Sequence, residues 1–374
     1  MDFSLNETQT ELVGLTNKIL ADRMTLPHLK EVERSDDGFD RDTWIELAKA
    51  NLLGIAIPEE QGGLGLGFLD LCLVLREVGK FVPPLPLVPC LVSGALTVAR
   101  YGSPEQLPTL AHIADGSVIT TAALAEHGTD ARNPYAVATP TGDGGYKLRG
   151  VKTTVPFADV AAGMLVPARV DGSDDLVMLS THTQGDGITL ERQVGQNYEH
   201  LFQVTFDDVD VPAGFVIGTQ AQGREILEFL LERTQVATCA LIGGVCEAAL
   251  RLTAQYTIDR KQFERSIGTF QAVSQRMADA YINNQAIELT MLQAATHLDE
   301  GKEVADEVAT AKWWACEGGN QIGHACLHVH GGISIDLDYP IHRYFLWIKQ
   351  AEFTLGSATA QLLFIGKHLA DTPA

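Results

Sequence analysis

Apolar residues at helical spacing dominate the first third of the chain. Between positions 7 and 24 they recur three and four residues apart, after a capping residue at Asn6, and this predicts a first helix. The Gly-rich segment 58–65 interrupts the pattern, as expected for a loop. The same apolar spacing predicts further helices over 39–53, 68–78 and 91–101.

The middle of the chain changes to short stretches that are typical of strands. Residues 135–139 and 146–149 flank the glycine-rich segment 142–145, which predicts a β-hairpin. This spacing favours a small antiparallel sheet. Further strands are predicted over 163–168, 176–180 and 201–206.

Long helical patterns return after Gly223. They span 225–258, 270–300, 304–326 and 350–369. Long helices with short connections are typical of a bundle. The sequence therefore predicts an α+β protein with three domains. These are an N-terminal α-helical domain (1–117), a central antiparallel β domain (118–221) and a C-terminal four-helix bundle (222–374).

The chain of 374 residues carries a formal net charge of −21. Nucleic acids and anionic membrane surfaces are bound through an excess of Lys and Arg, so neither is expected as a partner. The N-terminus lacks the basic and apolar regions of a signal peptide, and no apolar run is expected to reach the length of a transmembrane helix. We expect a soluble, cytoplasmic protein.

The six cysteines form no C-x-x-C pair and show no metal-ligand spacing. Most of them lie among apolar or small residues, which favours buried free thiols in a reducing compartment. His324, His328 and His330 are close in sequence, but the further ligands that a zinc site needs are not at suitable spacing. No metal site is predicted.

Several segments carry motifs in a fixed order along the chain. Trp44-x-x-Leu-Ala precedes Leu53-Gly-Ile-x-Ile-Pro-Glu-Glu-x-Gly-Gly-Leu-Gly, and Phe206-Asp-Asp-Val-Asp-Val-Pro closes the predicted sheet. The bundle carries Arg260-Lys-Gln-Phe-Glu-Arg-Ser-Ile-Gly-Thr-Phe-Gln271, then His328-Val-His-Gly-Gly-Ile and Asp338-Tyr-Pro-Ile-His-Arg-Tyr-Phe345. In type and order these segments resemble those of the acyl-CoA dehydrogenase family. The resemblance implies that family's fold and an FAD-dependent enzyme that desaturates an acyl-CoA thioester.

The resemblance also places the adenosine-diphosphate end of FAD on the bundle motifs, largely across a subunit boundary. The planar fork of an arginine suits a pyrophosphate, and paired glycines let backbone N–H groups approach phosphate oxygens. An oligomer is therefore expected. The cofactor-binding residues implied in this way are Arg260, Phe263, Gln271, His328, Gly331 and Gly332.

The family's catalytic base is usually a Glu before a Gly, and it removes the proton α to the thioester. Leu355 stands at that position here, followed by Gly356, and a leucine cannot accept a proton. Some family members carry the base on the first long bundle helix as Glu-Arg, which matches Glu232 and Arg233. Glu232 is thus the predicted base and Arg233 a predicted substrate contact. The alternatives are that Glu232 is a helix-surface residue paired with a neighbour, or that Glu352 takes the role.

The segments that contact the flavin ring in the family differ in this chain. The family's T-E-P-x-A-G-S-D is replaced by Ala125-Glu-His-Gly-Thr-Asp, and its W-I-T by Thr154-Val-Pro156. A stacking Trp and two hydroxyl groups are thereby lost, and Pro156 has no backbone N–H. We expect this chain's own sheet to hold the isoalloxazine ring poorly or not at all.

Such losses resemble the actinobacterial acyl-CoA dehydrogenases of steroid side-chain breakdown, which are heterotetramers of two unlike subunits with half the usual number of flavins. One hypothesis is a catalytic subunit, in a heteromer or homo-oligomer, that uses Glu232 on a bulky acyl-CoA and passes electrons to an electron-transfer flavoprotein. The other is a non-catalytic subunit that completes the FAD site of a second acyl-CoA dehydrogenase-like chain. A flavin oxidase or monooxygenase is a third possibility, for which no residue argues. Fold alone does not choose among them.

Overall fold

The computed structural model describes residues 3–36 and 38–371. Contacts divide the chain into two compact units. Unit 1 comprises Met1–Lys30, Phe68–Pro83 and Gln235–Ala374, and unit 2 comprises Glu31–Gly67 and Pro84–Thr234. The predicted division into three consecutive domains stays a prediction.

The order of elements is helices, then strands, then long helices, which confirms the predicted fold class. A π-helix, Val88–Leu96, directly precedes α5. The α-helices are α1 Glu7–Arg23, α2 Leu26–Glu33, α3 Arg41–Lys49, α4 Phe68–Gly79, α5 Thr97–Tyr101, α6 Thr109–Ala114, α7 Gly223–Asp259, α8 Gln271–Asp299, α9 Ala305–His330, α10 Ile341–Phe353 and α11 Ala358–Asp371. The strands are β1 Thr120–Ala122, β2 Val137–Pro140, β3 Tyr146–Pro156, β4 Gly163–Val170, β5 Leu176–His182, β6 Ile188–Val194, β7 His200–Val211, β8 Val216–Ile217, β9 Lys261–Gln262 and β10 Arg265–Ser266.

The first helix begins where its capping residue predicts. Asn6 accepts a hydrogen bond from the backbone N–H of Gln9 at 2.8 Å, and the Gln9 side chain accepts one from the backbone N–H of Asn6 at 3.0 Å. This reciprocal capping box satisfies two N–H groups that have no partner within the helix. The predicted cap at Asn6 is confirmed.

The sheet of unit 2 is mixed, which corrects the predicted antiparallel arrangement. Its strand order is β6-β7-β3-β2-β4-β5-β8, and β1 pairs with β4. Both β1 and β2 run parallel to β4, whereas the other pairs within this sheet are antiparallel. The predicted hairpin is confirmed in β2 and β3, and Gly142 and Gly144 in its turn have φ values of 84° and 88°. Such angles favour glycine because it lacks a Cβ atom.

Strand β3 shows how the sequence pattern builds the sheet. Tyr146 and Leu148 are buried, whereas Lys147 and Arg149, which alternate with them, are exposed, as expected when successive side chains point to opposite faces. The buried side chains belong to one apolar cluster shared by strands β2 to β7. Burial of this kind contributes roughly 25 cal/mol per Å² of apolar surface. The cluster is therefore the main source of stability of the sheet.

In unit 1, helices α4 and α7 approach each other backbone to backbone. A Cβ atom added to Gly79 would lie 2.1 Å from the carbonyl oxygen of Leu241, and one added to Gly244 would lie 1.8 Å from that of Arg76. Only glycine fits at such distances. This explains why a glycine stands at position 244 within the apolar sequence of α7.

Charged side chains surround this contact between α4 and α7. The guanidinium of Arg76 lies 2.9 Å from Glu247 and 3.1 Å from Glu288, and the ammonium of Lys80 lies 2.7 Å from Glu77 and 3.2 Å from Glu247. The network joins α4, α7 and α8. Its groups are mostly shielded from water, so removal of one partner would leave an uncompensated charge.

The C-terminal region differs from the single helix predicted over 350–369. Helix α10 ends at Phe353 and α11 begins at Ala358. Between them Leu355 has a φ of 54° and Gly356 a φ of 101°, and this left-handed backbone cannot continue an α-helix. The prediction of one continuous helix was wrong because Leu355 gives no sequence signal for this conformation.

Within the residues that the structure describes, one helix is long and apolar enough to cross a membrane by length and composition, contrary to expectation. It covers Gln220–Asp259, and 67% of its most apolar window is buried inside the protein. A core helix of a globular protein gives the same result. All six cysteines are free and buried, as predicted.

The adjacent glycines of α7, Gly243 and Gly244, provide a matched test of the α4–α7 contact. Gly244→Ala should destabilise the chain by about 1–3 kcal/mol or more, because its Cβ has no space against the Arg76 carbonyl. Gly243→Ala should be neutral or stabilising by up to about 1 kcal/mol, since alanine favours helix and its nearest new contact is at 3.6 Å. Urea unfolding would compare them, and equal effects would refute the contact.

Candidate active site

The predicted base, Glu232, lies in the first turns of α7 and is half-buried. Burial raises the pKa of its carboxyl group above the ordinary value; Arg233 opposes this rise, Glu228 adds to it and Arg132 opposes it. A raised pKa suits a general base, since such a group should titrate near the working pH. The environment of Glu232 is therefore compatible with proton abstraction.

The predicted substrate contact, Arg233, is held against its own helix. Its guanidinium carbon lies 3.6 Å from the centre of the Phe229 ring, and its Nη1 donates to the Phe229 carbonyl oxygen at 3.4 Å. The Phe229 ring packs edge-to-face on Tyr101 at 5.3 Å, and the Tyr101 hydroxyl donates to Glu225 at 2.9 Å. A role of Arg233 in substrate binding stays a prediction.

A buried ion pair closes the base of the loop formed by residues 126–135. The ammonium of Lys152 donates to Glu126 at 2.6 Å and to the Pro167 carbonyl oxygen at 2.8 Å, and the Lys152 side chain is fully buried. The Glu126 carboxylate also accepts the backbone N–H groups of Tyr135 at 2.6 Å and Ala136 at 3.2 Å. Burial lowers the pKa of Lys152 and Glu126 opposes that change. One carboxylate thus joins both ends of the loop to the sheet.

The cofactor segment after α7 is exposed in unit 1. Arg260 directly follows the helix, and its carbonyl oxygen accepts the backbone N–H of Ile267 at 2.9 Å. Phe263 has a φ of 50° and is 88% exposed, and Gln271 is the exposed first residue of α8. Side chains presented in this way can contact a ligand or another subunit.

The glycine pair after α9 is also open. A Cβ atom added to either Gly331 or Gly332 would meet nothing within 4 Å, and His328 in the last turn of α9 is exposed. The backbone N–H of Gly331 donates to the carbonyl oxygens of Leu327 and His328. The N–H of Gly331 is therefore already used within the chain, although there is space beside this residue. The backbone of Gly332 is the better candidate for a phosphate contact.

The structure brings these two cofactor segments together through residues that the sequence did not single out. Tyr256, one turn before Arg260, stacks on the His330 ring at 4.4 Å and donates to the His330 carbonyl oxygen at 3.4 Å. Nε2 of His330 lies 3.1 Å from the Tyr339 hydroxyl, and Nδ1 lies 2.8 Å from the Cys326 carbonyl oxygen. In the described part of the chain, no group of three His, Cys, Asp or Glu side chains is arranged to hold a metal ion.

The turn that contains Leu355 is anchored by side chains that sequence reasoning also missed. The fully buried Lys312 donates to the Ala351 carbonyl oxygen at 2.8 Å, and the Gln235 amide donates to that of Leu355 at 2.9 Å. Glu352, the alternative base, has its carboxylate on the ammonium of Lys349 at 2.6 Å. A lysine within the apolar pattern of α9 was a sequence signal for this buried anchor.

Comparison with known proteins identifies the family. The family model described as the acyl-CoA dehydrogenase N-terminal domain matches residues 6–117, and the model of the C-terminal domain matches residues 221–370. The chain belongs to the acyl-CoA dehydrogenase family. It is therefore an oxidoreductase of the acyl-CoA dehydrogenase type.

The relatives with substantial identity span the whole chain. Acyl-CoA dehydrogenase FadE27 of Mycobacterium tuberculosis is 36% identical over 383 residues, covering 100% of both chains. The solved ChsE4-ChsE5 complex from Mycobacterium tuberculosis matches with a TM-score of 0.94 and 36% identity over 100% of both chains. The structure of a Tcur3481-Tcur3483 steroid ACAD variant matches with a TM-score of 0.92 and 40% identity, covering 98% of this chain and 99% of that one.

Membership of this family implies FAD. The residues at the nucleotide end of the cofactor fit it, whereas those at the flavin-ring end do not. The open glycine pair and exposed Arg260 fit the nucleotide end. On the ring side, the backbone N–H of Thr154 donates to the side chain of Gln193 at 2.8 Å, and the Pro156 carbonyl oxygen accepts the Thr121 hydroxyl at 2.7 Å. Thr154 also has a φ of 51°. In residues 154–156, here called the ring segment, these backbone polar groups form hydrogen bonds within the chain. The ring segment therefore does not fit the flavin ring.

The buried pair under the 126–135 loop gives a stability test. Lys152→Met should cost about 3–5 kcal/mol, because it leaves Glu126 charged and without its buried partner, and Lys152→Met/Glu126→Gln should cost less than the sum of the single changes. Lys147→Met, in the same strand, removes an exposed ion pair with Asp210 and should change stability by less than about 1 kcal/mol. Denaturant unfolding would measure these three variants together with Glu126→Gln alone, and a similar loss in both lysine variants would contradict the assignment.

Proposed function

We propose that this chain is one subunit of a heteromeric, FAD-dependent acyl-CoA dehydrogenase that acts on a bulky, steroid-derived acyl-CoA and passes electrons to an electron-transfer flavoprotein. The observation that supports a heteromer is the hydrogen bond from Thr154 to Gln193, because it engages the backbone of the ring segment within the chain. The related Tcur3481-Tcur3483 protein is described as a steroid ACAD, and ChsE4-ChsE5 as a complex. These descriptions support the substrate class and the unlike partner.

In this proposal the chain contributes to catalysis through Glu232. Its carboxylate takes the proton from the carbon α to the thioester, and burial makes it a stronger base than an exposed Glu. FAD, when bound, accepts the hydride from the β carbon. Arg260, Gln271 and Gly332 would hold the nucleotide end of that cofactor, with its ring on the partner chain.

A second candidate is a non-catalytic subunit that only completes the partner's FAD site. The same closed ring segment favours it, because a chain that holds no flavin ring needs no base beside one. The half-buried Glu232 with its raised pKa favours the catalytic role. The two candidates differ in what the loss of Glu232 does to turnover.

Flavin content tests the division of the cofactor site. The chain purified alone should be colourless, because its ring segment bonds to itself. Co-expression with a second, unlike acyl-CoA dehydrogenase chain should give about half a flavin per chain, measured by visible absorption against protein concentration. Near-stoichiometric flavin on the lone chain would instead show a self-sufficient enzyme.

Turnover of the assembled complex tests the base. Glu232→Gln should lower kcat by about 10²-fold or more, in the range typical for loss of a general base, with flavin content retained. Glu352→Gln serves as the control and should retain activity, since that carboxylate is bonded to Lys349. Unchanged turnover in Glu232→Gln would favour the non-catalytic subunit.

A further inference from the structure

We propose that Arg132 and Glu228 are positioning residues for Glu232: the Glu228 carboxylate holds the Arg132 guanidinium and thereby keeps it from neutralising Glu232. The inference rests on the proposed function, in which Glu232 is the base. It assigns a role to a loop residue and a helix residue that no sequence motif singled out. All the groups concerned lie in unit 2.

Helix geometry places the two carboxylates in competition for one cation. Glu228 and Glu232 are four residues apart in α7, so they lie one turn apart on the same face. The Nε atom of Arg132 lies 3.1 Å from Oε2 of Glu228, and both side chains are partly buried. The Nε–H of Arg132, which is a single donor, is thereby directed to Glu228.

Hydrogen bonds hold the backbone around Arg132, and they thereby restrict the position of its guanidinium. Arg224, one turn before Glu228, donates from Nη1 to the Arg132 carbonyl oxygen. The N–H of Arg132 donates to Asp130 at 2.8 Å, and Glu126 joins the ends of the loop. The loop is thus fastened to α7 on one side and to the sheet on the other.

The charges that act on Glu232 come from two elements. Arg233 and Glu228 are on its own helix, and Arg132 is on the loop packed against that helix. Arg233 is held against the Phe229 ring. The Arg132–Glu228 pair is therefore the part of the charge environment of Glu232 that substitution can change. Removal of either member should therefore move the protonation of Glu232, and in opposite directions.

The test is a direct titration of Glu232 by NMR of carboxyl-labelled glutamate in the purified chain and in its complex, with the resonance assigned by its loss in Glu232→Gln. Glu228→Gln removes a negative charge that lies one turn from Glu232, so the midpoint should fall by at least about 0.5 pH unit. Arg132→Gln removes a positive charge, so the midpoint should rise by at least about 0.5 pH unit. Glu225→Gln, one turn earlier and bonded to Tyr101, is the matched control and should leave the midpoint unchanged.

Conservative rescue separates this electrostatic role from a merely structural one. Arg132→Lys keeps the charge, so its midpoint should lie closer to that of the unmodified chain than to that of Arg132→Gln. Midpoints that do not move, or that move in the same direction in Glu228→Gln and Arg132→Gln, would overturn the proposal. The titration does not depend on turnover. A failure of this test is therefore distinguishable from a failure of the proposed function, which would appear as an active Glu232→Gln variant and would refute Glu232 as the base.

Discussion

The backbone contact between α4 and α7 is the constraint on which unit 1 depends. Two carbonyl groups and two glycines meet at distances that admit no side chain, and a partly buried ion network fixes the same helices around that point. Helix α7 continues past Gly243 and Gly244 to the segment that begins with Arg260. The cofactor motif is thus positioned by packing that involves none of its own residues.

Local sequence signals predicted the parts of the fold that depend on neighbours in the chain. The cap at Asn6 and the hairpin around Gly142 are encoded within a few residues, and the structure contains both. The parallel pairing of β1 and β2 with β4 joins distant segments, so alternation along a strand could not predict it. The turn at Leu355 was missed because it is held by Lys312 and Gln235, which come from other helices.

The candidate site shows the same division. The family motifs located Glu232, Arg260 and the glycine pair, but not the groups that determine how those residues behave. The environment of Glu232 depends on Arg132, which lies about a hundred positions earlier in the chain. In the same way, the side chain of Gln193 on β6 accepts the backbone N–H of Thr154, which lies in the ring segment on β3. Such contacts follow from the fold and have no signature in the residues they affect.

The burial of all six cysteines has a consequence for the chemistry of the folded chain. Burial raises the pKa of Cys90 to about 11 and of Cys239 to about 12, and Cys326 reaches about 11. The thiolate is the form that reacts with peroxides and alkylating agents. Burial and a raised pKa therefore keep the thiols of Cys90, Cys239 and Cys326 protonated and shielded in the folded chain, so we expect oxidants to reach these three sulfur atoms mainly after unfolding.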